Sequence, residues 1–334
     1  MPFPPPSTLR ALCILVLGVQ WAPRAREDAS RIAFASRRDG NWEIYVMDAD
    51  GGHQTRLTTR AEQDRFPLWS RDGTKLAFGS QGRSGWELWV MDSDGGNARH
   101  LYTGIAAKAP RQWSPDGTRI VFESDHDGGR DIYTVRADGS GLARLTTSPA
   151  DDGDPSWSPD GSRIAFSSSR DGNAEIYVMR ADGSGQTRLT RDAAADGSPA
   201  WSPDGSAIAF ASTRDGGREL YLARPDGRGV ERLTVGASAT RDALAWSPDG
   251  SRIAFHAARG DNYDIEAVRV DGRARTRLTA GPSYDGMYSW SPDGTRLAFI
   301  SDREGYDAIY VMDAQGGRAR RLTGDASLNP AWSP

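Results

Sequence analysis

Charged residues recur at fixed places in this sequence, and their types suggest two kinds of binding chemistry. One set lies five positions before a tryptophan and is acidic: Asp64, Asp152, Asp196 and Asp285. A second set lies in short loops resembling Ser-x-Arg-Asp-Gly and is basic: Arg170, Arg214, Arg259 and Arg303. Carboxylates grouped around one opening would hold a cation, and a ring of both charges would grip a peptide segment. The alternative interpretation is structural, because regularly repeated ion pairs also cap loops and join neighbouring units.

One copy of this pattern departs from the others. Lys108 stands where the acidic residue is expected, and Asp125-His126-Asp127 replaces the arginine loop. With these two positions, the residues expected to form a polar binding face at a channel mouth are Asp64, Lys108, His126, Asp152, Arg170, Asp196, Arg214, Arg259, Asp285 and Arg303. No cofactor is predicted, and the sequence leaves open whether a metal ion sits among the acidic residues.

Signals for catalysis are weak in this chain. Its histidines show no metal-ligand spacing and are scattered along the sequence: His53, His100, His126 and His256. There is no Gly-x-Ser-x-Gly nucleophile elbow. Carboxylates are numerous enough to include a glycosidase-type acid and nucleophile, but the sequence selects no pair. The sequence therefore predicts that the protein is not an enzyme.

The charged positions belong to a repeat of about 44 residues. Tryptophans mark it at spacings of 44, 44, 44, 45, 44 and 42 residues: Trp69, Trp113, Trp157, Trp201, Trp246, Trp290 and Trp332. Each unit holds four short β-prone runs separated by Gly, Pro and Asp turns. A Phe-bearing run and a Leu-Thr run each occur seven times. The pattern predicts an all-β, seven-bladed propeller of four-stranded antiparallel blades, each stabilised by its neighbours.

Strand alternation assigns the loops to two faces of this ring. The nearly constant Ser-Pro-Asp-Gly and Ala-Asp-Gly turns share one face. The arginine loops and the variable run before each tryptophan share the other, which is where binding is expected. Two positions present in all seven units are interpreted as structural: the tryptophan, as a wedge between blades, and a carboxylate before the third strand, namely Glu43, Glu87, Asp131, Glu175, Glu219, Asp264 and Asp307.

The two ends of the repeat region complement each other. The repeats begin on a second strand, Arg31-Ile-Ala-Phe34, and the chain finishes on a first strand, Asn329-Pro-Ala-Trp-Ser333. The C-terminal strand is therefore expected to complete the N-terminal blade and close the ring.

Residues 1–25 stand outside the repeat and resemble a secretory signal, which leaves 26–334 as the propeller. Arg10 precedes the apolar run from Ala11 to Val19, which is too short to span a bilayer. Removal of this leader would remove Cys13, the only cysteine. The formal net charge of −4 and the interspersed charges argue against nucleic acid as a partner. A periplasmic or secreted monomer is expected.

The repeat resembles the TolB-like, WD-like propeller family. The resemblance rests on Trp-Ser-Pro-Asp-Gly, Arg-Asp-Gly-Asn-x-Glu-Ile-Tyr-Val-Met and Ala-Asp-Gly-x-Gly-x-x-Arg-Leu-Thr, and the copy from Trp157 to Thr190 shows all three. It implies the propeller fold. Such propellers are found in periplasmic scaffold proteins, beside the catalytic domain of prolyl-oligopeptidase-like enzymes and in some sugar-active proteins. TolB itself has six blades and a separate α/β domain, so the resemblance does not imply that this chain is a TolB orthologue.

The predicted function is an exported, non-catalytic scaffold that binds a protein or peptide segment at the channel mouth. Two other hypotheses stay open on the sequence alone. One is a carbohydrate-binding or carbohydrate-active protein that uses the same polar face. The other is an accessory subunit that gates a separately encoded peptidase.

Overall fold

The computed structural model describes residues 30–105, 109–237, 244–260 and 262–334, and all regular elements within them are β-strands. The predicted leader, residues 1–25, and the predicted site residue Lys108 lie outside the described residues. Within those ranges, no helix is long and apolar enough to cross a membrane.

The strands are short and follow one another in a regular order. The first fourteen are β1 (Arg31–Ser36), β2 (Glu43–Asp48), β3 (Thr55–Arg56), β4 (Gln63–Trp69), β5 (Lys75–Gly82), β6 (Gly85–Asp92), β7 (Arg99–Thr103), β8 (Gln112–Trp113), β9 (Arg119–Ser124), β10 (Asp131–Arg136), β11 (Ala143–Arg144), β12 (Asp152–Trp157), β13 (Arg163–Ser168) and β14 (Glu175–Arg180). The others are β15 (Thr187–Arg188), β16 (Asp196–Trp201), β17 (Ile208–Ser212), β18 (Glu219–Ala223), β19 (Glu231–Arg232), β20 (Ala245–Trp246), β21 (Arg252–Arg259), β22 (Asn262–Arg269), β23 (Arg275–Arg277), β24 (Asp285–Trp290), β25 (Arg296–Ser301), β26 (Ala308–Asp313), β27 (Arg320–Arg321) and β28 (Ser327–Trp332).

These strands form seven four-stranded antiparallel sheets, so the predicted seven-bladed propeller is confirmed. Blades 2 to 7 are consecutive groups of four strands, from β4–β7 to β24–β27. Blade 1 has the order β28-β1-β2-β3, which confirms the predicted closure by the C-terminal strand. First strands of neighbouring blades contact each other, as β28 contacts β4 and β12 contacts β16, and together they form the wall of the central channel.

Five of the seven first strands contain a β-bulge that reverses the side on which the side chains lie. The register with the second strand shifts between Gly153 and Ser156, for example, and again at the same place in four other blades. The bulge residue is a non-glycine residue with positive φ each time: Phe66, Asp154, Ser198, Met287 and Asn329. A bulge re-aims the side chains that follow it. This shift decides which residues face the channel.

The apolar faces of the blades pack against each other through two repeated aromatic positions. The phenylalanine of every second strand is at most 1% exposed. The tryptophan at the end of every first strand reaches the neighbouring blade. In four blades its indole N–H donates to a carbonyl of that neighbour, as Trp113 does to Leu68 and Trp246 to Ala200, both at 3.0 Å. The predicted wedge role of the tryptophans is therefore confirmed.

The carboxylate before the third strand is fixed inside its own blade. Glu175 accepts hydrogen bonds from Thr190 Oγ1 at 2.6 Å and from Arg188 Nη2 at 2.5 Å, and it is fully buried. Equivalent bonds tie Glu43 to Thr58 and Asp131 to Thr146. The structural interpretation of this position holds for these blades.

Candidate functional site

Three of the predicted acidic site residues are paired with predicted basic ones within the same blade. Asp152 lies 2.8 Å from Arg170, Asp196 lies 2.7 Å from Arg214, and Asp285 lies 3.0 Å from Arg303. The three carboxylates are at most 1% exposed. The bulge follows the aspartate in each of these strands, and the aspartate side chain is buried against the arginine of its own blade.

The arginine of each pair is held by further contacts of the same blade. Arg170 donates from Nε to Ser168 Oγ at 2.7 Å, and its guanidinium lies 4.9 Å from the ring centre of Tyr177. Arg214 and Arg303 repeat both contacts. A ligand would have to break these bonds before it could pair with the three aspartates or the three arginines. Their arrangement therefore favours the structural interpretation over a polar funnel.

Asp64 is the exception among the four acidic residues. It is fully buried, and neither carboxylate oxygen has a hydrogen-bond partner of normal geometry among the described residues. Burial raises the pKa of Asp64 to about 6, and the nearby charge of Glu43 adds to this effect, while the Ser80 hydroxyl and Arg60 partly oppose it. Burial also raises the pKa of Asp196, although Arg214 opposes that effect. Asp64 differs from Asp196 because no arginine forms an ion pair with it among the described residues.

Neutralising Asp64 and neutralising Asp152 should have opposite effects on stability. Asp64→Asn removes a buried charge without a partner, so it should raise the free energy of unfolding at pH 7.5 by about 1–3 kcal/mol. Asp152→Asn takes the charge opposite Arg170 away and should lower it by about 1–3 kcal/mol. Denaturant unfolding of the two variants measures both values.

The pH dependence of the free energy of unfolding provides a second measurement of the same effect. The folded-state pKa of Asp64 lies above its unfolded value near 4. The wild type should therefore lose stability as the pH rises from about 4 to about 6, while Asp64 ionises. Asp64→Asn should lack this component. If both substitutions changed the free energy of unfolding equally and in the same direction, Asp64 would be paired in solution.

The remaining predicted residues are dispersed. Arg259 forms ion pairs with Glu266 and approaches Asp264 at 3.8 Å, so its charge is also used within its blade. His126 is exposed in the second loop of blade 3, where its backbone N–H donates to Ser124 Oγ. Among the residues that the structure describes, no group of three or more His, Cys, Asp or Glu side chains is placed to hold a metal ion.

A cleft lies instead against the first strands of blades 3 to 6. It consists of a cavity of about 540 Å³ on the channel side and one of about 370 Å³ on the side of the variable loops. Both cavities are lined by Asp154 and Ser198, the bulge residues of blades 4 and 5. We call these two adjoining cavities together the blade 4 cleft. Pro155, Pro199, Leu244 and Trp246 give its channel side an apolar wall.

A charge cluster borders this cleft at a place where the repeat is interrupted. Arg111 lies 2.9 Å from Glu123 and 3.4 Å from Asp154. Glu123 is fully buried and also accepts the backbone N–H of Asp154 at 2.7 Å. Burial alone would lower the pKa of Arg111, but the charges of Glu123 and Asp154 raise it. Arg111 is therefore charged, and the contacts of Arg111 and Glu123 fix Asp154, which lines both cavities.

Sequence reasoning did not identify these residues, although a signal was present. Arg111 stands where four other repeats have proline: Pro67, Pro155, Pro199 and Pro330. Glu123 stands where four repeats have a small residue: Ala35, Gly79, Ser167 and Ala211. Departures from a repeat that cost desolvation and gain no packing are often found at functional sites.

Comparison with known proteins agrees with this architecture. The TolB beta propeller domain family matches residues 8–105, 148–244 and 235–334. TolB from Acinetobacter baumannii is 21% identical, with a TM-score of 0.59 over 88% of this chain and 79% of that one. An oligogalacturonate lyase from Vibrio parahaemolyticus is 20% identical, with a TM-score of 0.69 over 84% and 85%. A puromycin-hydrolyzing peptidase of Mycobacterium tuberculosis is 18% identical, with a TM-score of 0.68 over 87% of this chain and 51% of that one. No curated protein matches the sequence.

These similarities correct one prediction. The sequence led to the conclusion that the protein is not an enzyme, and that conclusion is wrong, because the same fold occurs in a lyase and in a peptidase. The nucleophile elbow and the metal-ligand spacing of histidines belong to other catalytic architectures. Their absence from the sequence says nothing about catalysis by a propeller. Fold and repeat together establish the relationship: this chain is a member of the TolB β-propeller domain family.

Proposed function

We propose that the protein binds an extended segment of a partner protein in the blade 4 cleft. The observation that carries this proposal is that the two cavities share Asp154 and Ser198 as lining residues, so an extended segment could contact both of them. Its apolar wall suits side chains of a partner, and its fixed charges suit polar groups of an extended backbone. The apolar run from Ala11 to Val19 supports export, so we place this binding in the cell envelope.

Filling the cleft should abolish binding while leaving the fold intact. Gly197 lines the loop-side cavity, its φ is not positive, and a Cβ built on it meets no atom within 4 Å. Gly197→Trp therefore adds a large side chain at a position that lines the cleft, and its Cβ meets no neighbouring atom. We expect the partner recovered from envelope extract by the wild type to be lost by at least about tenfold with this variant. Quantitative crosslinking and mass spectrometry measure the recovery.

The matched control is Gly324→Trp. Gly324 also has open space around a built Cβ and no positive φ, but it precedes β28, on the side of the ring away from the cleft. Its partner recovery should equal that of the wild type. Equal recovery by both variants, or no partner that distinguishes either from the wild type, would refute binding in the blade 4 cleft.

The second candidate is recognition or cleavage of an oligosaccharide in the same cleft. The loop-side cavity favours it, since Ser167, Ser168 and Ser169 line that cavity together with Arg130 and Asp151. Hydroxyl groups and ion pairs of this kind match the vicinal hydroxyls of sugars. Thermal-shift and product assays with neutral and acidic oligosaccharides, with and without divalent cations, separate this candidate from the first. A ligand-dependent shift abolished by Gly197→Trp would favour the sugar.

A further inference from the structure

Four blades contain the same binding site for a guanidinium group, which we call the guanidinium seat. It consists of a serine, a carboxylate and an aromatic pair. In blade 4 the Arg170 guanidinium donates from Nε to Ser168 and from Nη2 to Asp152, and it stacks on the Phe166–Tyr177 pair. Blades 5 and 7 repeat this arrangement. Blade 1 does so with Arg38 and Ser36, with Asp325 as the acid. In four blades, therefore, a guanidinium group occupies the place between this serine and this carboxylate.

Blade 2 has the seat but lacks the arginine. Asp64 and Ser80 are directly opposite each other in the paired strands β4 and β5, and Phe78 and Trp89 supply the aromatic pair. The residue two positions after the serine, however, is Gly82. Both Asp64 oxygens and Ser80 Oγ are buried and without a normal hydrogen bond among the described residues. A buried carboxylate and a buried hydroxyl therefore face a place where other blades hold a cation.

A second cation of the repeat is also absent from blade 2. His100 pairs with Trp89 at the position where Arg188 pairs with Tyr177 in blade 4. The carboxylate of Glu87 consequently has no arginine of its own blade at that position. It accepts from the Trp89 indole at 2.9 Å and bends so far toward Gly82 that a Cβ built there would lie 2.2 Å from Glu87 Oε1. Two acidic groups without their usual arginines make this seat complementary to a cation.

Arg60 covers the seat but forms no ion pair with its carboxylate among the described residues. It comes from the connection that precedes blade 2, and its guanidinium carbon lies 3.5 Å from the ring centre of Trp89. Its Nη1 is buried with no hydrogen-bond partner among the described residues, and its Nη2 reaches Glu62 at 3.4 Å. No ion pair joins Arg60 to Asp64 within the described part of the chain. Such a cover can be displaced at little cost in bonds.

We propose that the blade 2 seat binds a guanidinium group supplied by an arginine of the partner, which displaces Arg60 and pairs with Asp64 and Ser80. Only the source of that arginine rests on the proposed protein-binding function. A planar guanidinium bonds the serine and the carboxylate at once and stacks on an aromatic face, which an ammonium group does not reproduce. Among the residues with a described position, a metal ion would find no third protein carboxylate or imidazole there.

Argininamide binding to the full chain tests the seat directly, with lysinamide as the control ligand. Isothermal titration calorimetry should detect argininamide binding to the wild type and several-fold tighter binding to Arg60→Ala. Asp64→Asn should weaken it by at least about tenfold, because the charged acceptor is gone. Asp152→Asn, the same change at the filled seat of blade 4, should bind as the wild type does.

A second variant fills the seat from within. Gly82 has no positive φ, and the three atoms nearest to a Cβ built on it all belong to the flexible Glu87 side chain. Gly82→Arg should therefore supply a guanidinium group from the chain itself and abolish argininamide binding. Binding that is absent in the wild type, equal for lysinamide, or unchanged in Asp64→Asn and Gly82→Arg would overturn the proposal. Gly197→Trp should leave argininamide binding intact, so a failure of the blade 4 cleft and a failure of the blade 2 seat are distinguishable.

Discussion

Deletion of residues 326–334 is expected to make the protein associate with itself and melt in stages. The deletion removes β28, the channel-side strand of blade 1, which pairs with β1 from Ile32 to Ser36. It also removes the mutual hydrogen bonds of Arg31 and Ser333 at 2.8 and 2.7 Å, and the acceptor of the Trp69 indole. The exposed edge of β1 would then be open to strand addition from another chain.

Two measurements check this result. Differential scanning calorimetry should show a broadened or split transition, since blade 7 and blade 1 are no longer coupled. Sedimentation velocity should show association that increases with concentration. Deletion of Pro334 alone, an exposed terminal residue, is the control and should change neither. A monomeric 326–334 deletion with the wild-type melting profile would mean that the strand pairing of β28 does not hold the ring together.

The fold was predictable because each repeat contains the same turn residues and the same apolar strands. Turn residues such as Pro203-Asp-Gly205 separate the short apolar strands, and Gly205 has the positive φ of 72° that its turn requires. Seven tryptophans at a nearly constant spacing then leave few ways to bury the strand faces. The pairing of the chain ends also followed from counting strands, because an open first blade would expose an edge.

The candidate site was less predictable because side-chain direction depends on details that a strand pattern does not contain. Regular alternation would place Asp152 and Asp196 at the channel mouth. The bulge at Asp154 and Ser198 interrupts that alternation, and in the structure the aspartates are buried against arginines of their own blades while the bulge residues line the cleft. The role of Arg60 depends on contact with Trp89 of a different repeat unit, which no local pattern reveals.

Truncation of Trp201 is expected to cost about 3–5 kcal/mol of unfolding free energy. Its side chain is 6% exposed and packs between blades 4 and 5, against Ile176 and Leu189 on one side and Ile208 on the other. The Arg163 guanidinium lies 4.7 Å above its ring. Two sheets held by their neighbours cannot close over the space that an alanine leaves, so the full cavity cost applies. Denaturant unfolding of Trp201→Ala measures the loss.

The chain provides two internal controls for this value. Trp42→Ala removes a half-buried tryptophan of the loop face and should cost clearly less. Phenylalanine substitutions then separate packing from hydrogen bonding. Trp246 donates its indole N–H to Ala200 at 3.0 Å, whereas that of Trp201 finds no acceptor among the described residues. Trp246→Phe should therefore cost about 1 kcal/mol more than Trp201→Phe, the net value of one hydrogen bond. A loss below about 1 kcal/mol for Trp201→Ala would show that this tryptophan is not the wedge that joins the two blades.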